Sequence, residues 1–414
     1  MALRPYVPEP PTDFSVPKTA ARMQQALAAV RKQLGKTYPL IINGQPVIPS
    51  ADRIISVNPA QPNEVIGYVA KATPAVIDQA MEAAVHAFDA WKSVPPNQRA
   101  HYLFQVAALL RRRRFLFNAW EIVEAGKSWH EADSDVAEAI DFLEYYGRQM
   151  IRLARPVTLM PWDGENDVGV YEPLGVGVVI APWNFPLAIL AGMSAAALVT
   201  GNTELLKPAS ATPVIAAQYA SLWEEVGLPP GVLNFVPGSG AQIGDYLVGH
   251  PLTRFINFTG SREVGMRIHT LATQPFLGQT WLKRVVAEMG GKDAVVVDET
   301  LNDWDQVASD IVASAFGFQG QKCSATSRLI VVDSIHDQLV RKVLEKTRQL
   351  AIGDPSVLAH DLGPVISQEA LNKIQGYIHW GQAHARLLTG GHRVNLPGYF
   401  IEPTIFDDVA PKSV

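Results

Sequence analysis

VGVVIAPWNFPLAILAGMSAAALVTGNTELLKP, residues 176–208, contains the pattern that decides the fold. It begins with a short β-branched run, VGVVI, and closes with a second apolar run that ends at Lys207. Between them, residues 187–199 are small and apolar, which is typical of a buried helix. A strand, a helix and a second strand in this order predict a βαβ unit in a parallel sheet.

The same alternation of strands and helices continues towards the C-terminus. Further strand-like runs with helical patterns between them occur at 232–238 (VLNFVPG), 254–260 (RFINFTG), 284–291 (RVVAEMGG), 294–298 (AVVVD) and 328–333 (RLIVVD). We therefore expect an α/β protein in which a Rossmann-like parallel sheet precedes a second α/β domain.

The chain length predicts more than one domain. We expect an N-terminal arm at 1–37, a first domain at 38–290 and a second domain at 291–414, with the boundary at the Gly290-Gly291 pair. Residues 155–173 have strand-like ends around turn-forming Asp-Gly and Asn-Asp pairs, which predicts a hairpin that interrupts the first domain.

Helical spacing of apolar residues predicts four helices before the hairpin. They lie near 19–34, 73–88, 97–114 and 134–152, and the second starts at a Thr73-Pro74 pair. A basic run, 111–114, comes at the end of the third, where we expect a solvated, cationic helix terminus.

Composition narrows the classes of function. The chain has 48% apolar and 18% charged residues and a net charge of −5, which is typical of a globular protein and argues against nucleic-acid binding. The longest apolar run, 187–199, is too short to span a bilayer, so we expect no membrane segment. A single cysteine excludes an internal disulfide and fits a reducing, cytoplasmic compartment.

That cysteine, Cys323, lies in FQGQKCSATSR (318–328) among small and polar residues. An isolated cysteine is often a small buried hydrophobe. Nearby glycines, however, allow a ligand to approach the backbone closely, and a thiolate is a strong nucleophile. Pairing with a histidine, as in a cysteine hydrolase, matches no motif in the chain.

Two polar residues at predicted strand ends are the next candidates. Glu288 follows an apolar strand and precedes two glycines, a position where α/β sheets place ligand sites, although it could equally be a solvated carboxylate. Asn184 lies in a proline-flanked turn, where its amide could stabilise an oxyanion or simply bond its own backbone.

A third candidate is FTGSREVG (258–265), which joins a strand to a helix N-terminus and could hold a phosphate. It lacks the ordinary dinucleotide fingerprint. Lys207, at another strand end, could reach a ribose or phosphate or could be solvated. The histidines have no metal-binding spacing, so we expect no metal.

Taken together, APWNFP (181–186), LLKPAS (205–210), FTGSREVG, EMGGK (288–292) and GQKC (320–323) resemble, in that order, the aldehyde dehydrogenase superfamily. Three longer segments are similar to the 1-pyrroline-5-carboxylate dehydrogenases, which oxidise glutamate γ-semialdehyde to glutamate. These segments are 126–146, 282–298 and 316–325.

The resemblance implies the aldehyde dehydrogenase fold, with a cofactor domain, a catalytic domain and a protruding oligomerisation hairpin. It implies that Cys323 is the nucleophile, that Glu288 activates the hydrolytic water, and that Asn184 and the Cys323 N–H bind the oxyanion. The thiohemiacetal so formed would lose hydride to the nicotinamide, and water would release the acid from the remaining thioester.

The resemblance also implies a cofactor site and a substrate site. The cofactor-binding residues would be Pro182, Trp183, Lys207, Ser210, Gly240, Gly260, Ser261, Gly265 and Gly290. Many NAD-preferring relatives have a glutamate where this chain has Ser210, so we expect NAD and, without that repulsion, NADP as well. Substrate-binding residues would be Glu131, Phe185 and Ser324, although Glu131 could also be an ordinary solvated helix residue.

We therefore expect a cytoplasmic, homo-oligomeric enzyme, a dimer or larger, that oxidises a small aldehyde. The alternatives are a dehydrogenase for another semialdehyde and a non-catalytic cofactor-binding protein. Relatives continue beyond the position of Val414 into an E-I-F-G-P-type motif and a substrate-anchoring loop. Without those parts we expect the 414-residue chain to have poor or no dehydrogenase activity.

Overall fold

The computed structural model describes residues 5–160 and 162–413. The chain forms two compact units. Unit 1 contains the residues up to Ser56, then Ile66–Asn118 and Asp133–Met289. Unit 2 contains Val57–Val65, Ala119–Ala132 and Gly290–Val414, so two short segments from the first half of the chain belong to it.

The helices and strands are numbered in chain order. Helices α1–α12 span Pro17–Arg31, Pro74–Trp91, Pro96–Arg112, Arg114–Ala125, Trp129–Leu153, Ala188–Val199, Pro213–Glu225, Asp245–Gly249, Arg262–Ala272, Trp304–Phe316, His336–Arg348 and Gln368–His384. Strands β1–β16 span Lys36–Tyr38, Leu40–Ile42, Gln45–Val47, Arg53–Asn58, Gln61–Ala70, Val157–Thr158, Val168–Gly169, Val176–Ile180, Thr203–Lys207, Leu233–Phe235, Phe255–Gly260, Arg284–Met289, Asp293–Val297, Thr326–Val331, Arg386–Thr389 and Ile405–Asp407. No helix in the described part of the chain is long and apolar enough to cross a membrane.

Unit 1 is built on a seven-stranded sheet with the order β12-β11-β8-β9-β10-β2-β3. The first five strands in this order are parallel, and β2 and β3 extend the sheet in antiparallel pairing. From β8 the chain proceeds outwards through β9 and β10, then returns to add β11 and β12 on the other side of β8. The direction of winding therefore reverses between β8 and β11.

Complete burial of the central strands explains their composition. Every residue of β8 and β9 is buried, and β8 (VGVVI) is the continuous apolar run that burial on both faces favours, whereas β9 (TELLK) also contains Glu204 and Lys207. One core cluster joins this sheet to α2 and α9 through Val178, Leu205, Ile256, Ala80 and Ile268. The predicted βαβ unit at 176–208 is therefore present as β8, α6 and β9.

Unit 2 has a smaller core around a parallel pair of strands, β13 and β14. Helices α10 and α11 cover one face of this pair through Ala308, Ile311, Leu339 and Val343. The predicted hairpin at 155–173 is present in unit 1 as the antiparallel pair β6 and β7. Its tip is apolar and exposed, with Met160 82% and Trp162 71% accessible.

The helices before the hairpin differ from their predicted bounds in two respects. The third ends at Arg112, and a further helix, α4, which we did not predict, follows at once. Within the basic run 111–114, Arg111 and Arg112 are exposed, as expected of a solvated terminus, but Arg111 and Arg114 also form ion pairs. Arg111 pairs with Glu144 at 2.6 Å, and Arg114 binds the buried Asp133 at 2.6 Å.

Glu204 in β9 is an ionisable side chain within the core of unit 1. It is fully buried and accepts a hydrogen bond from the Ser194 hydroxyl. Burial raises the pKa of Glu204 well above its usual value, and the bond from Ser194 offsets only part of this effect. The protonated carboxyl is therefore the form that the core favours.

We predict that Glu204→Gln stabilises the protein at neutral and alkaline pH. The pKa of Glu204 is raised in the folded state, so its contribution is complete below its ordinary pKa of 4.5 and is lost as the pH rises. This one group can lower the free energy of unfolding by up to about 1.4 kcal/mol per pH unit, and glutamine removes that dependence. Urea unfolding at pH values from 5 to 9 measures the free energy of unfolding and its dependence on pH.

The control is Glu82→Gln, because Glu82 is exposed on α2. The prediction is wrong if the free energy of unfolding changes with pH equally in the wild type, Glu204→Gln and Glu82→Gln.

Candidate active site

The candidate residues of unit 1 lie at the carboxyl ends of the five parallel strands. In α/β sheets, ligands bind outside these ends, at the point where the direction of winding reverses. Here that point is between β8 and β11. Asn184 follows β8 and Ser261 follows β11, while Lys207 ends β9. Parallel pairing aligns Ile180 with both Lys207 and Phe258, so β8 and β9 end at one level and β11 extends two residues beyond it.

The turn after β8 is held at several points. Asn184 Oδ1 accepts a hydrogen bond from the Phe185 N–H at 3.1 Å, so the local backbone bond that we considered is present. Nδ2 is the donor group of this amide. The buried Asp135 accepts from the Ala188 N–H at 2.6 Å at the start of α6. Thr212 Oγ1 donates to the Trp183 carbonyl at 3.4 Å.

Lys207 is a buried cation at the end of β9 and is not the solvated lysine that we considered. Its side chain is 5% exposed, and Nζ donates to the Pro208 carbonyl at 3.1 Å. Burial lowers the pKa of Lys207 to about 8. Ser210, three residues on, is exposed, and its hydroxyl donates to the Gly238 carbonyl at 3.4 Å.

The strand-to-helix turn after β11 has the features of an anion-binding helix start. Ser261 is the N-cap of α9, and its hydroxyl accepts from the Val264 N–H at 3.3 Å. Gly265 allows α9 to approach the sheet, because an added Cβ would lie 2.6 Å from Met289 Sδ. A Cβ on Gly260 would lie 2.6 Å from the Phe258 ring, whereas one on Gly240, after β10, would meet open space.

Glu288 lies in β12, opposite Thr259 of β11. Its side chain is exposed, as are the residues that share its face of this edge strand, Arg284 and Val286. This exposure fits the solvated carboxylate that we considered, because β12 is the last strand of the sheet and no further strand lies beyond it.

In unit 2, Cys323 follows a short helical turn, Gly317–Gly320, and precedes β14. It is partly buried, and its carbonyl accepts from the Gly291 N–H at 3.2 Å. Ser324 is exposed beside it. Gly290 is exposed, and an added Cβ there would meet no atom within 4 Å. Cys323 is therefore accessible and is not a core cysteine.

Glu131 lies beside the cysteine segment and is not a solvated helix residue. It pairs with Lys322, the residue that precedes Cys323, at 2.8 Å. Gly317 leaves the space for this pair, because its added Cβ would lie 2.9 Å from Glu131 Oε1. The structure therefore brings Glu131 and the cysteine segment together within unit 2.

Lys322 and Asp135 contact the candidate segments, and the sequence analysis did not single out either residue. Their contacts, to Glu131 and to the start of α6, join residues 191 and 53 positions apart. The position of Lys322 next to the cysteine was the one available signal. Within the described residues, no group of three or more histidine, cysteine, aspartate or glutamate side chains could hold a metal ion.

The chain is similar, in sequence and in structure, to known proteins of one family. Residues 47–414 match the model of the aldehyde dehydrogenase family. The chain is 54% identical over 411 residues to a 1-pyrroline-5-carboxylate dehydrogenase of Geobacillus kaustophilus and 55% identical to that of Geobacillus thermodenitrificans. Each alignment covers 99% of this chain and 79% of the relative.

A crystal structure of a 1-pyrroline-5-carboxylate dehydrogenase from Thermus with bound NAD superposes with a TM-score of 0.97 and 46% identity. The match covers 100% of this chain and 80% of that one. The order of the sheet, the placement of the candidate residues and these similarities together establish that the chain belongs to the aldehyde dehydrogenase family.

Proposed function

We propose that this protein oxidises L-glutamate γ-semialdehyde, which forms from 1-pyrroline-5-carboxylate, to L-glutamate with NAD as the electron acceptor, a step of proline catabolism. The observation that carries the proposal is the 54–55% identity, over 99% of the chain, to two proteins named 1-pyrroline-5-carboxylate dehydrogenase. The separation of the chain after Met289 supports a cofactor-binding role for unit 1 and a catalytic role for unit 2.

Unit 1, together with Gly290 at the start of the last segment of unit 2, has features that suit a dinucleotide. The α9 N-terminus at Ser261 offers N–H groups to a pyrophosphate, and Lys207 has an ammonium with three donors near a strand end. The open space beside Gly240 allows a ligand to approach the backbone. Pro182, Trp183, Ser210, Gly260, Gly265 and Gly290 complete the proposed set. Bound NAD supplies the hydride acceptor, and the exposed Ser210 has no carboxylate to repel NADP.

The first chemical step is assigned to Cys323. Its thiolate adds to the aldehyde carbonyl, and the carbonyl oxygen becomes an oxyanion. Asn184 Nδ2 and the Cys323 N–H are the proposed donors to that oxygen, each contributing about 3–4 kcal/mol to the transition state. The bond from the Phe185 N–H to Asn184 Oδ1 supports this role, because it fixes the orientation of the amide in the turn after β8.

Release of the acid is assigned to Glu288. Its carboxylate takes a proton from water, and the resulting hydroxide attacks the thioester carbonyl and expels the Cys323 thiolate. Its exposed position on the edge strand supports access to water. The reaction is thus divided into acylation, in which the Cys323 thiolate attacks the substrate, and hydrolysis, in which the Glu288 carboxylate activates water.

Substrate recognition is assigned to Glu131, Phe185 and Ser324. The Glu131–Lys322 pair next to Cys323 presents both charge signs to a substrate that itself carries an ammonium and a carboxylate. This arrangement favours an amino-acid aldehyde over an uncharged one. A reactive thiol also supports a reducing, cytoplasmic location.

The test is a stopped-flow NADH burst with glutamate γ-semialdehyde, preceded by an NAD titration followed through tryptophan fluorescence. Cys323→Ala should bind NAD and give no burst. A larger kcat/KM for another semialdehyde would favour that activity, and NAD binding without a wild-type burst would favour a non-catalytic cofactor-binding protein.

We predict that Asn184→Ala slows acylation about 100- to 1,000-fold, because one oxyanion donor is lost. NAD affinity should remain within twofold, and the burst rate constant reports the effect. Asn97→Ala, at an exposed residue of α3, is the matched control. An unchanged burst in Asn184→Ala would contradict the assignment.

The buried Lys207 leads to a prediction about pH. Its pKa of about 8 means that the ammonium is charged at pH 7 and neutral at pH 9. NADP carries an additional 2′-phosphate that is fully ionised over this range. The affinity for NADP relative to NAD should therefore fall as the pH rises from 7 to 9, by up to about tenfold.

Calorimetric titrations with both dinucleotides measure this ratio. Lys207→Gln should abolish its pH dependence, whereas Lys18→Gln, at an exposed residue of α1, should retain it. A ratio that is constant with pH in the wild type would refute the prediction.

The exposed hairpin supports a homo-oligomer, a dimer or larger. Met160, Tyr171 and Trp162 are its three most exposed large apolar residues, and an exposed apolar patch of this kind is typical of protein interfaces.

We predict that Trp162→Asp shifts the protein towards the monomer in light scattering, because a charge buried in the interface destabilises it. Val7→Asp, at another exposed apolar residue, is the control. A wild-type monomer would contradict the proposal.

A further inference from the structure

Two consecutive residues of the turn before Cys323 have a left-handed backbone. Phe318 has φ 49° and ψ 41°, and Gln319 has φ 58° and ψ 28°. Neither is a glycine, asparagine or aspartate, the residues that tolerate this conformation. Each therefore requires support from its surroundings, and such backbone strain is concentrated at functional sites.

The Gln319 side chain supplies part of that support. Its Nε2 donates to the Pro364 carbonyl at 2.7 Å and to the Gly126 carbonyl at 3.3 Å. The space around this amide is tight, because a Cβ on Gly363 would lie 3.0 Å from Nε2 and 2.3 Å from the Gly126 oxygen. Both amide N–H groups are thus used to join the turn to two other segments of unit 2.

Phe318 is held by the residue next to Gly126. Its ring is 1% exposed, and Lys127 Nζ lies 5.0 Å from the ring centroid. Lys127 in turn pairs with Glu121 at 3.1 Å, and both side chains are almost fully buried. A desolvated cation over an aromatic ring is a favourable contact. The two left-handed residues are therefore held by adjacent residues, Gly126 and Lys127.

The contacts continue from the left-handed pair to the backbone of Cys323. Gln321 Nε2 donates to the Phe318 carbonyl at 3.4 Å, and Gln321 Oε1 accepts from the Ile366 N–H at 3.0 Å. Lys322 pairs with Glu131, and the Cys323 carbonyl accepts from the Gly291 N–H. A change of conformation at residue 319 would therefore alter the direction from which the chain reaches Cys323.

We propose that Gln319 is a positioning residue for the nucleophile: its amide stabilises the left-handed pair, and this pair sets the orientation of the Cys323 thiol. The inference rests on the proposed function, in which Cys323 attacks the substrate. Gln319 acts through the backbone of the turn and takes no direct part in the chemistry.

The test is acylation by p-nitrophenyl acetate, which requires no cofactor. The Cys323 thiolate forms an S–acyl bond, the ester C–O bond breaks, and the electron pair leaves with nitrophenolate. Cys323 is the only cysteine, so Cys323→Ala measures the background. Gln319→Glu keeps the side-chain length but replaces the donor with a carboxylate, and Gln338→Glu, at an exposed residue of α11, is the matched control.

We expect Gln319→Glu to lower the acylation rate constant at least tenfold, with the half-saturating ester concentration and the NAD affinity unchanged. Gln319→Gly should acylate faster than Gln319→Ala, because glycine adopts the left-handed conformation freely. A general loss of structure would not produce this order. Urea unfolding gives the folded fraction, by which each rate is corrected.

The inference is wrong, and the nucleophile assignment is unaffected, if Gln319→Glu and Gln319→Ala acylate within twofold of the wild-type rate. The same conclusion follows if the alanine variant acylates at least as fast as the glycine variant. Equal nitrophenolate release by the wild type and Cys323→Ala would overturn the nucleophile assignment and the inference together. If Gln319→Glu does not fold, the comparison of alanine with glycine decides.

Discussion

Parallel pairing of β12, β11, β8, β9 and β10 is the constraint on which unit 1 depends. Parallel strands in register end at the same edge of a sheet, so the segments that follow them are brought together however far apart they lie in the chain. Residues from Pro182 to Glu288 are collected in this way. Full burial of β8 and β9 keeps this edge rigid, since their side chains are packed on both faces.

Unit 2 positions its reactive residue by a different means. Cys323 follows an irregular turn whose conformation is unfavourable in isolation, and the contacts of Gly126, Lys127 and Glu131 compensate for the cost. Because those residues lie in the segment Ala119–Ala132, an early part of the chain helps to form the unit that contains the cysteine. Here tertiary contacts, and not secondary structure, determine the geometry.

Charged side chains have distinct roles according to their burial. Lys207 loses hydration at a strand end, and burial lowers its pKa to about 8, so its charge depends on pH. Glu121 and Lys127 are buried together, so each charge has an opposite charge beside it. Glu131 and Lys322 form a partly exposed pair. Burial and pairing thus differ from one charged group to the next.

Local patterns in the amino-acid sequence established the α/β alternation and the hairpin and singled out Cys323, Glu288 and Asn184 as candidates, because strand and helix periods and short motifs are local properties. They did not reveal α4 or the ion pairs of Arg111 and Arg114, since the acidic partners of these arginines lie on other elements. The winding reversal, the burial of Lys207, the exposure of Glu288 and the left-handed Gln319 became visible only in the folded chain. Each of these depends on contacts between residues distant in sequence, which no local pattern records.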